Sequence, residues 1–253
     1  MISISIVSHA QNALVNRLLR DLMVVEPQTE VEIIITENIP GDVEFEHAAT
    51  GGNVRLIRNT NPQSYARNHN SALLDARGNY YCILNPDVRW MQPVFSRLLS
   101  RFENGDADIV APLVVDATGV TQDSFRPIPT PGDLFRRRIL NRGLHPLPYE
   151  PGEFMLPDWI AGMFMLMPAG IFQQLGGFDE SYRMYFEDVD FCARARLAGL
   201  RIGVDTSVTI QHEGRRSSRK SLKYLLWHAV SALRFFTSPI YRQIRSYASD
   251  TER

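Results

Sequence analysis

The sequence predicts an α/β protein with a mostly parallel central sheet flanked by helices, and three observations lead to this prediction. Apolar, β-branched segments alternate with helix-like segments through the first half of the chain. Polar residues follow directly after several of the predicted strands. The 253 residues, 44% of them hydrophobic, form one sizeable core or two small ones, and no internal repeat divides them. Strands that alternate with helices form parallel sheets covered on both faces.

Hydrophobic periodicity defines the elements of the first half. Residues 2–7 alternate with period two and become fully apolar at their end, which is typical of a strand. Residues 12–25 place four leucines on one helical face, with Asn12 as the expected N-cap. β-branched composition predicts further strands at residues 31–36, 54–57, 80–84 and 109–113. Helices are predicted between them at residues 65–76 and 94–102.

The second half has a different pattern. Residues 118–157 are rich in Pro, Gly and Arg and predict a long functional loop with one short helix. After it we expect a strand at 164–167, a turn at Gly176 and Gly177, a helix at 187–198, and short strands at 201–204 and 208–210. From residue 221 apolar residues recur at helical spacing, and from Glu213 onward nine Lys or Arg face three Asp or Glu. Such a helix either lies on an anionic membrane surface, packs on its own domain, or contributes charge near a nucleotide diphosphate.

Composition disfavours several classes of protein. The formal net charge of -1 argues against nucleic acid as a partner. The only lysines are Lys220 and Lys223, whereas a P-loop ATPase or a pyridoxal enzyme needs a lysine in its core. Two cysteines, Cys82 and Cys192, form no disulfide framework and favour a reducing compartment. No export signal is evident, and the near-apolar residues 159–172 are fewer than the roughly 20 of a spanning helix. A cytoplasmic location is therefore expected.

Polar residues at the ends of the predicted strands mark the candidate ligand site. Ligands of such sheets bind beyond the carboxyl ends of the strands. The alternative is that polar residues end strands in any protein. The residues in question are Ser8 and His9, Glu37 and Asn38, Arg58 and Asn59, and Asn85 and Asp87.

Carboxylates supply two candidate chemical groups. Asp87 follows an apolar strand, and one carboxylate placed there suits Mg²⁺, which binds one or two carboxylates plus substrate phosphates. Asn-Pro-Asp is also an ordinary turn. Five acids lie within residues 179–190, among tyrosines and phenylalanines whose burial of a carboxylate would raise its pKa and make it a better base. Helix stabilisation explains some of these acids, including an Asp190–Arg194 pair. His212 is either structural or a ligand of a metal or phosphate.

The order of the motifs resembles the family 2 glycosyltransferases of bacterial surface polysaccharides, and within them the rhamnosyltransferases of O-antigen assembly. The resemblance covers residues 2–236. The motifs that carry it are Ser8-His9, Glu37-Asn38, Asn61 with Tyr65-Ala66-Arg67 and Asn70, Gly78 to Asp87, Asp123 to Pro127, Trp159 to Gly162, Gly176 to Glu180, Glu187 to Asp190, and His212.

The resemblance implies a GT-A type fold and an inverting, metal-dependent sugar transfer. It implies a nucleotide-sugar-binding half at residues 1–115, an acceptor-binding and catalytic half at 116–212, and a basic amphipathic helical tail at 213–253. The implied donor is dTDP-rhamnose, with UDP- or GDP-sugars as alternatives, and the implied acceptor is a glycan or a lipid-linked oligosaccharide. The tail suggests peripheral contact with the inner face of the cell membrane.

Roles for individual residues follow from the same resemblance. Asp188 matches the general base that deprotonates the acceptor hydroxyl. Positions that bind the nucleotide are matched by Ser8, His9, Glu37, Asn38, Arg67 and Asp87. Asp87 and His212 match positions that reach the metal, Mg²⁺ or Mn²⁺. The wall near the sugar and acceptor is matched by Trp159, Ala161, Gly162 and Glu187. Four residues depart from the family pattern, which usually has Tyr at His9, Asp at Glu37, Asp at Asn85 and Gly at Ser64.

Two other functions remain as alternatives. A sugar nucleotidylyltransferase also uses a nucleotide-binding α/β sheet, but that class resembles a Gly-rich N-terminal loop with a catalytic lysine, and here the first glycine is Gly41 and the first lysine is Lys220. A non-catalytic binding module of the same fold is disfavoured because Asp87 and Asp188 are both present.

Overall fold

A computed structural model describes residues 1–46, 53–139, 147–213 and 222–251. Its main element is a nine-stranded sheet in the order β3-β2-β1-β4-β10-β6-β11-β5, with β8 paired to β11. A two-stranded sheet pairs β7 with β9. The strands are β1 (Ile2–His9), β2 (Val31–Ile39), β3 (Val54–Arg58), β4 (Tyr80–Leu84), β5 (Val88–Arg89), β6 (Ile109–Val115), β7 (Phe125–Arg126), β8 (Phe154–Met155), β9 (Trp159–Ile160), β10 (Phe164–Pro168) and β11 (Ile202–His212).

The predicted fold class is confirmed. Strands β1, β2, β3 and β4 are mutually parallel, and β6 is parallel to β11. Strand β10 is antiparallel to its neighbours β4 and β6 and joins the two parallel groups. The flanking helices are α1 (Asn12–Val25), α2 (Tyr65–Asp75), α3 (Phe95–Glu103), α4 (Pro131–Ile139), α5 (Ala169–Gln174), α6 (Glu187–Leu197), α7 (Leu222–Thr237) and α8 (Pro239–Thr251).

The first strand shows why the sheet is covered on both faces. Ile2, Ile4 and Ile6 are at most 1% exposed, as the period-two pattern predicts. The alternating Ser3 and Ser5 are buried as well. Their hydroxyls are satisfied, because Ser3 donates to Glu32 and the Ser5 hydroxyl lies 2.8 Å from Nδ1 of His69. The alternation of Ile and Ser therefore marks two buried faces with different chemistry.

Two local predictions were wrong. Asn12 is the first residue of α1, while Gln11 occupies the cap position without a side-chain cap. The Asn12 amide donates to Oε1 of Glu37 instead. The two short strands predicted around residues 201–210 form one strand, β11, whose register shifts between Asp205 and Thr209. The Asp205 carboxylate in that irregularity is held by Arg101 at 2.7 Å, so a residue typical of turns lies within a strand.

Residues 118–157 contain more secondary structure than the predicted loop with one short helix. They contain the expected short helix, α4, and also the two-residue strands β7 and β8. The Asp190–Arg194 pair expected on α6 is present at 2.7 Å.

The C-terminal segment forms two helices. Ala232 and Phe235 of α7 and Ile244 of α8 are buried in the main core. The Phe235 ring lies 5.6 Å from that of Phe186, just ahead of α6, so one face of the segment packs on its own domain. Within the described residues, no helix is both long and apolar enough to cross a membrane. The basic cluster that includes Lys220 lies outside the described residues.

Candidate active site

A cavity of about 730 Å³ lies at the carboxyl ends of β1 and β4. Both acids singled out from the sequence, Asp87 and Asp188, line it. The other predicted site residues in its wall are His9, Asn38, Arg67, Ala161, Gly162 and Glu187. The cavity therefore brings together residues from both halves of the chain.

A strained turn positions the acids of α6. Tyr185 and Phe186, immediately before the helix, have φ angles of 71° and 69°. This left-handed conformation is unfavourable for bulky residues and persists where packing holds it. The Phe186 ring packs against His228 of α7 at 5.4 Å and against Phe235 at 5.6 Å. Helix α7 thus secures the turn that places Glu187 and Asp188 in the first turn of α6.

The two acids differ in their hydrogen bonding. The backbone N–H groups of Gly162 and Val189 donate to Asp188 at 3.0 and 2.8 Å. Glu187 is buried, and its Oε2 has no hydrogen-bond partner. Burial and the neighbouring Asp188 charge raise the pKa of Glu187 to about 8. Burial also raises the pKa of Asp188, but its two N–H donors and the Arg126 charge oppose that rise. Glu187 is therefore the harder of the two acids to ionise, and Asp188, whose carboxylate accepts two N–H donors, is the better candidate for the base.

Tyr65 connects the two halves of the site. Its hydroxyl donates to the backbone oxygen of Gly162 at 2.5 Å and lies 3.2 Å from Oδ1 of Asn85. Burial, with the nearby Glu187 and Asp188, raises the pKa of Tyr65 well above its ordinary value, so it stays a donor. The loop that donates to Asp188 is therefore fixed by a residue of α2.

The predicted metal residues lie together. His212 Nε2 is 3.2 Å from Oδ1 of Asp87, and His212 Nδ1 is 2.8 Å from the side-chain oxygen of Gln122. A carboxylate and an imidazole suit Mn²⁺, and a carboxylate suits Mg²⁺. Across the described ranges no cluster of three or more His, Cys, Asp or Glu is arranged to hold a metal. The pair fits a cation whose other ligands are water and the phosphates of a substrate, as is usual for Mg²⁺.

The predicted nucleotide residues divide into two groups. His9 and Asn38 face the cavity and contact each other, with Nδ1 of His9 3.0 Å from Nδ2 of Asn38. Ser8 and Glu37 lie outside the cavity wall. The Ser8 hydroxyl donates to Oδ1 of Asn12 at 2.6 Å, and the Glu37 carboxylate accepts from Nε of Arg58 at 3.0 Å. These two residues support the loops behind the site.

Trp159 also lies behind the cavity wall. It is buried, and the Arg126 guanidinium stacks on its ring at 4.6 Å. Asp123 holds Arg126 at 3.2 Å. This stack places the Arg126 charge where it acts on Asp188.

Sequence reasoning missed one wall of the cavity, formed by Arg183 together with Tyr224 and Trp227 of α7. The Arg183 guanidinium lies 4.4 Å from the centre of the Trp227 ring, and the Lys223 ammonium lies 4.8 Å from it. The aromatic residues of the tail were visible in the sequence as bulk on a helix. Nothing in their spacing indicated that they reach the site.

Comparison with known proteins gives a consistent family match. The sequence model described as glycosyl transferase family 2 matches residues 3–161. An N-acetylglucosaminyl-diphospho-decaprenol L-rhamnosyltransferase of Mycobacterium tuberculosis is 29% identical over 170 residues, which cover 62% of this chain and 54% of that protein. Rhamnosyltransferase WbbL of Escherichia coli K12 is 38% identical over 79 residues, 31% of this chain and 30% of that protein. The chain spans about half or less of the length of these relatives.

Solved structures share the fold at low sequence identity. GalNAc-T7 with UDP, GalNAc and Mn²⁺ matches with a TM-score of 0.62 and 14% identity, over 84% of this chain and 43% of that one. Residues 1–349 of TarS from S. aureus match with a TM-score of 0.59 and 16% identity, over 94% and 66%. A mannosyltransferase of Pyrobaculum calidifontis with GDP-Man and Mn²⁺ matches with 0.59 and 15%, over 96% and 67%.

Proposed function

The chain belongs to glycosyl transferase family 2 and has a GT-A type fold, and from that premise we propose that it is an inverting glycosyltransferase. The proposed donor is dTDP-rhamnose, and the proposed acceptor is a lipid-linked glycan of a cell-surface polysaccharide. The names of the M. tuberculosis and E. coli relatives support the rhamnosyl assignment.

The observation that carries the proposal is that Asp87 and Asp188 line one cavity. Transfer of a sugar from a nucleoside diphosphate requires a base for the acceptor hydroxyl and stabilisation of the departing diphosphate. Asp188, ionised beside a protonated Glu187, takes the proton of the attacking hydroxyl. The bond from that oxygen to the anomeric carbon forms as the bond from the same carbon to the diphosphate oxygen breaks. A single displacement of this kind inverts the anomeric carbon.

Asp87 and His212 are the residues proposed to hold Mg²⁺ or Mn²⁺. When bound, the cation supplies positive charge beside the departing phosphate oxygens. Gln122 keeps His212 turned toward Asp87 through its contact with Nδ1. His9, Asn38 and Arg67 are proposed to bind the nucleotide, and Ala161, Gly162 and Glu187 to border the sugar.

A donor screen tests the proposal. Thermal shift is measured with dTDP-rhamnose, UDP-sugars and GDP-sugars, with and without Mn²⁺. We expect the largest stabilisation from dTDP-rhamnose and a dependence on Mn²⁺ that Asp87→Asn abolishes. A larger shift with a UDP- or GDP-sugar contradicts the rhamnosyl assignment. Release of pyrophosphate from a nucleoside triphosphate and a sugar phosphate would instead indicate a nucleotidylyltransferase, and turnover unchanged in Asp188→Asn would indicate that Asp188 is not the base.

Peripheral membrane contact through the tail is part of the proposal. The outer face of α7 exposes Leu226, Val230 and Leu233 by 63%, 53% and 66%. Their spacing of four and three residues forms one apolar stripe. Exposed arginines on α7 and α8, Arg234, Arg242 and Arg245, complement anionic headgroups. We expect the chain to sediment with anionic vesicles and the triple variant Leu226→Ser, Val230→Ser and Leu233→Ser to remain in the supernatant. Equal sedimentation of both proteins contradicts the contact.

A further inference from the structure

The wall of the cavity that α7 contributes is cationic and aromatic. Two cations, Arg183 and Lys223, lie against Trp227, with their charged groups 4.4 and 4.8 Å from its ring centre. Arg183, Tyr224 and Trp227 face the cavity, and both cationic side chains are exposed. Cations held against an indole face are already positioned and keep their remaining hydrogen-bond donors for a ligand.

Arg183 and Lys223 have no acidic partner in the part of the chain that the structure describes. Within the described ranges, no carboxylate lies within ion-pair distance of Arg183 or Lys223, and the same is true of Arg67 on the cavity wall, whereas Arg126 behind the wall is paired with Asp123. Burial, and after it the charge of Lys223, lowers the pKa of His9, so Lys223 lies near the part of the cavity that His9 lines. Unpaired positive charge beside a cavity favours an anionic ligand, and the planar guanidinium suits phosphate oxygens.

The wall comes from elements other than those that carry the residues proposed for the donor diphosphate. The proposed place for that diphosphate is at Asp87, in the turn after β4, and at His212, the last residue of β11. Arg183 precedes Asp188 by five residues on the segment that leads into α6, and both residues line the cavity. Helix α7 also lies outside residues 3–161, the part of the chain that matches the family model. The exposed apolar stripe on the same helix favours an acceptor that carries a lipid as the anionic ligand of this wall.

We propose that Arg183, Lys223 and Trp227 form a subsite for the diphosphate of a polyprenyl-diphosphate-linked acceptor. The inference rests on the proposed glycosyltransferase function and names the residues that select its acceptor. The stripe of Leu226, Val230 and Leu233 lies on the exposed face of the same helix. One helix therefore presents cations to the diphosphate and apolar side chains to the surface in which the lipid is embedded.

A binding experiment tests the subsite without requiring turnover. Farnesyl diphosphate and farnesol are titrated against the full chain while tryptophan fluorescence is recorded, since Trp227 lies in the subsite. We expect saturable quenching by farnesyl diphosphate only. Arg183→Gln and Lys223→Gln should each weaken its Kd about tenfold, the loss of one charge-assisted contact. Arg20→Gln, at an exposed arginine of α1 that does not line the cavity, is the matched control and should leave the Kd unchanged.

Two outcomes overturn the proposal. Equal binding of farnesol and farnesyl diphosphate would show that the wall recognises the chain and not the phosphates. Weaker binding of a dTDP-sugar in Arg183→Gln and Lys223→Gln, with binding of farnesyl diphosphate intact, would assign the cations to the donor. Failure of the proposed function is distinguishable, because it would abolish sugar transfer while these titrations still report on the subsite.

Discussion

Replacement of Glu187 by Gln should make the folded protein more stable, and more so as the pH rises. Glu187 is 7% exposed, and its Oε2 has no hydrogen-bond partner. The pKa of Glu187 is raised by burial and by Asp188 to about 8 from an ordinary value of 4.5. Between these two values the unfolded chain loses the proton and the folded chain retains it, so folding becomes less favourable as pH rises. Glutamine has the same shape and no proton to lose.

The size of the effect follows from the pKa difference. Each pH unit between 4.5 and 8 costs the wild type about 1.4 kcal/mol of folding free energy. The cost is absent below pH 4.5 and reaches its full value above pH 8. The free energy of unfolding of Glu187→Gln, relative to wild type, should therefore increase by about 3 to 4 kcal/mol from pH 5 to pH 8. Replacement of the carboxyl group by an amide also changes the free energy of unfolding by an amount that does not depend on pH.

Urea denaturation at pH 5, 6, 7 and 8 measures this difference. Glu103→Gln is the matched control, because Glu103 lies exposed at the end of α3 and loses the same charge. We expect the control to follow wild type at every pH. A difference between Glu187→Gln and wild type that stays constant across the four pH values would refute the assignment of the buried proton to Glu187.

Three further predictions concern the site and the sheet. Tyr65→Phe removes the donor to Gly162 and should lower kcat about tenfold while the donor KM is unchanged; an unchanged kcat would contradict the positioning role. Arg126→Met removes a charge that lowers the pKa of Asp188, so the rising limb of the pH–kcat profile should move to higher pH, and a shift to lower pH would contradict it. Gly78→Ala would place a Cβ 2.6 Å from the backbone nitrogen of Ser3, and urea denaturation should show a loss of about 2 kcal/mol or more; a wild-type midpoint would show that the backbone yields.

The fold could be predicted in the segments whose buried residues recur with the period of a helix or a strand. The predicted bounds of α1 and β4 agree with the structure to the residue, because both elements are apolar on the side that meets the core. Strand β11 was divided at Asp205 to Ser207 because those residues are polar. In the structure Asp205 is fully buried, and Arg101, distant in sequence, compensates its charge. An ion pair between two elements distant in sequence does not change the local hydrophobic pattern, so the pattern could not predict that Asp205 is buried.

Part of the site could be predicted from two signals, the polar residues at the ends of strands and the order of the motifs. These placed Asp87, His212, Gly162 and Asp188, which the structure brings to one region through direct contacts and a shared cavity. They did not separate the residues that face the cavity from those behind it. Glu37 is bonded to Asn12 and Arg58 outside the wall, and Trp227 reaches the cavity because α7 packs on Phe186. Side-chain direction and helix docking depend on tertiary contacts that a single sequence does not display.

The central claim is that Asp188 activates an acceptor on the face of the sugar opposite the diphosphate. The anomeric configuration of the product tests this claim most directly. It is read by NMR from the one-bond carbon–hydrogen coupling at the transferred anomeric centre, with the donor as reference. The account predicts the configuration opposite to that of the donor. A product with the configuration of the donor would contradict it.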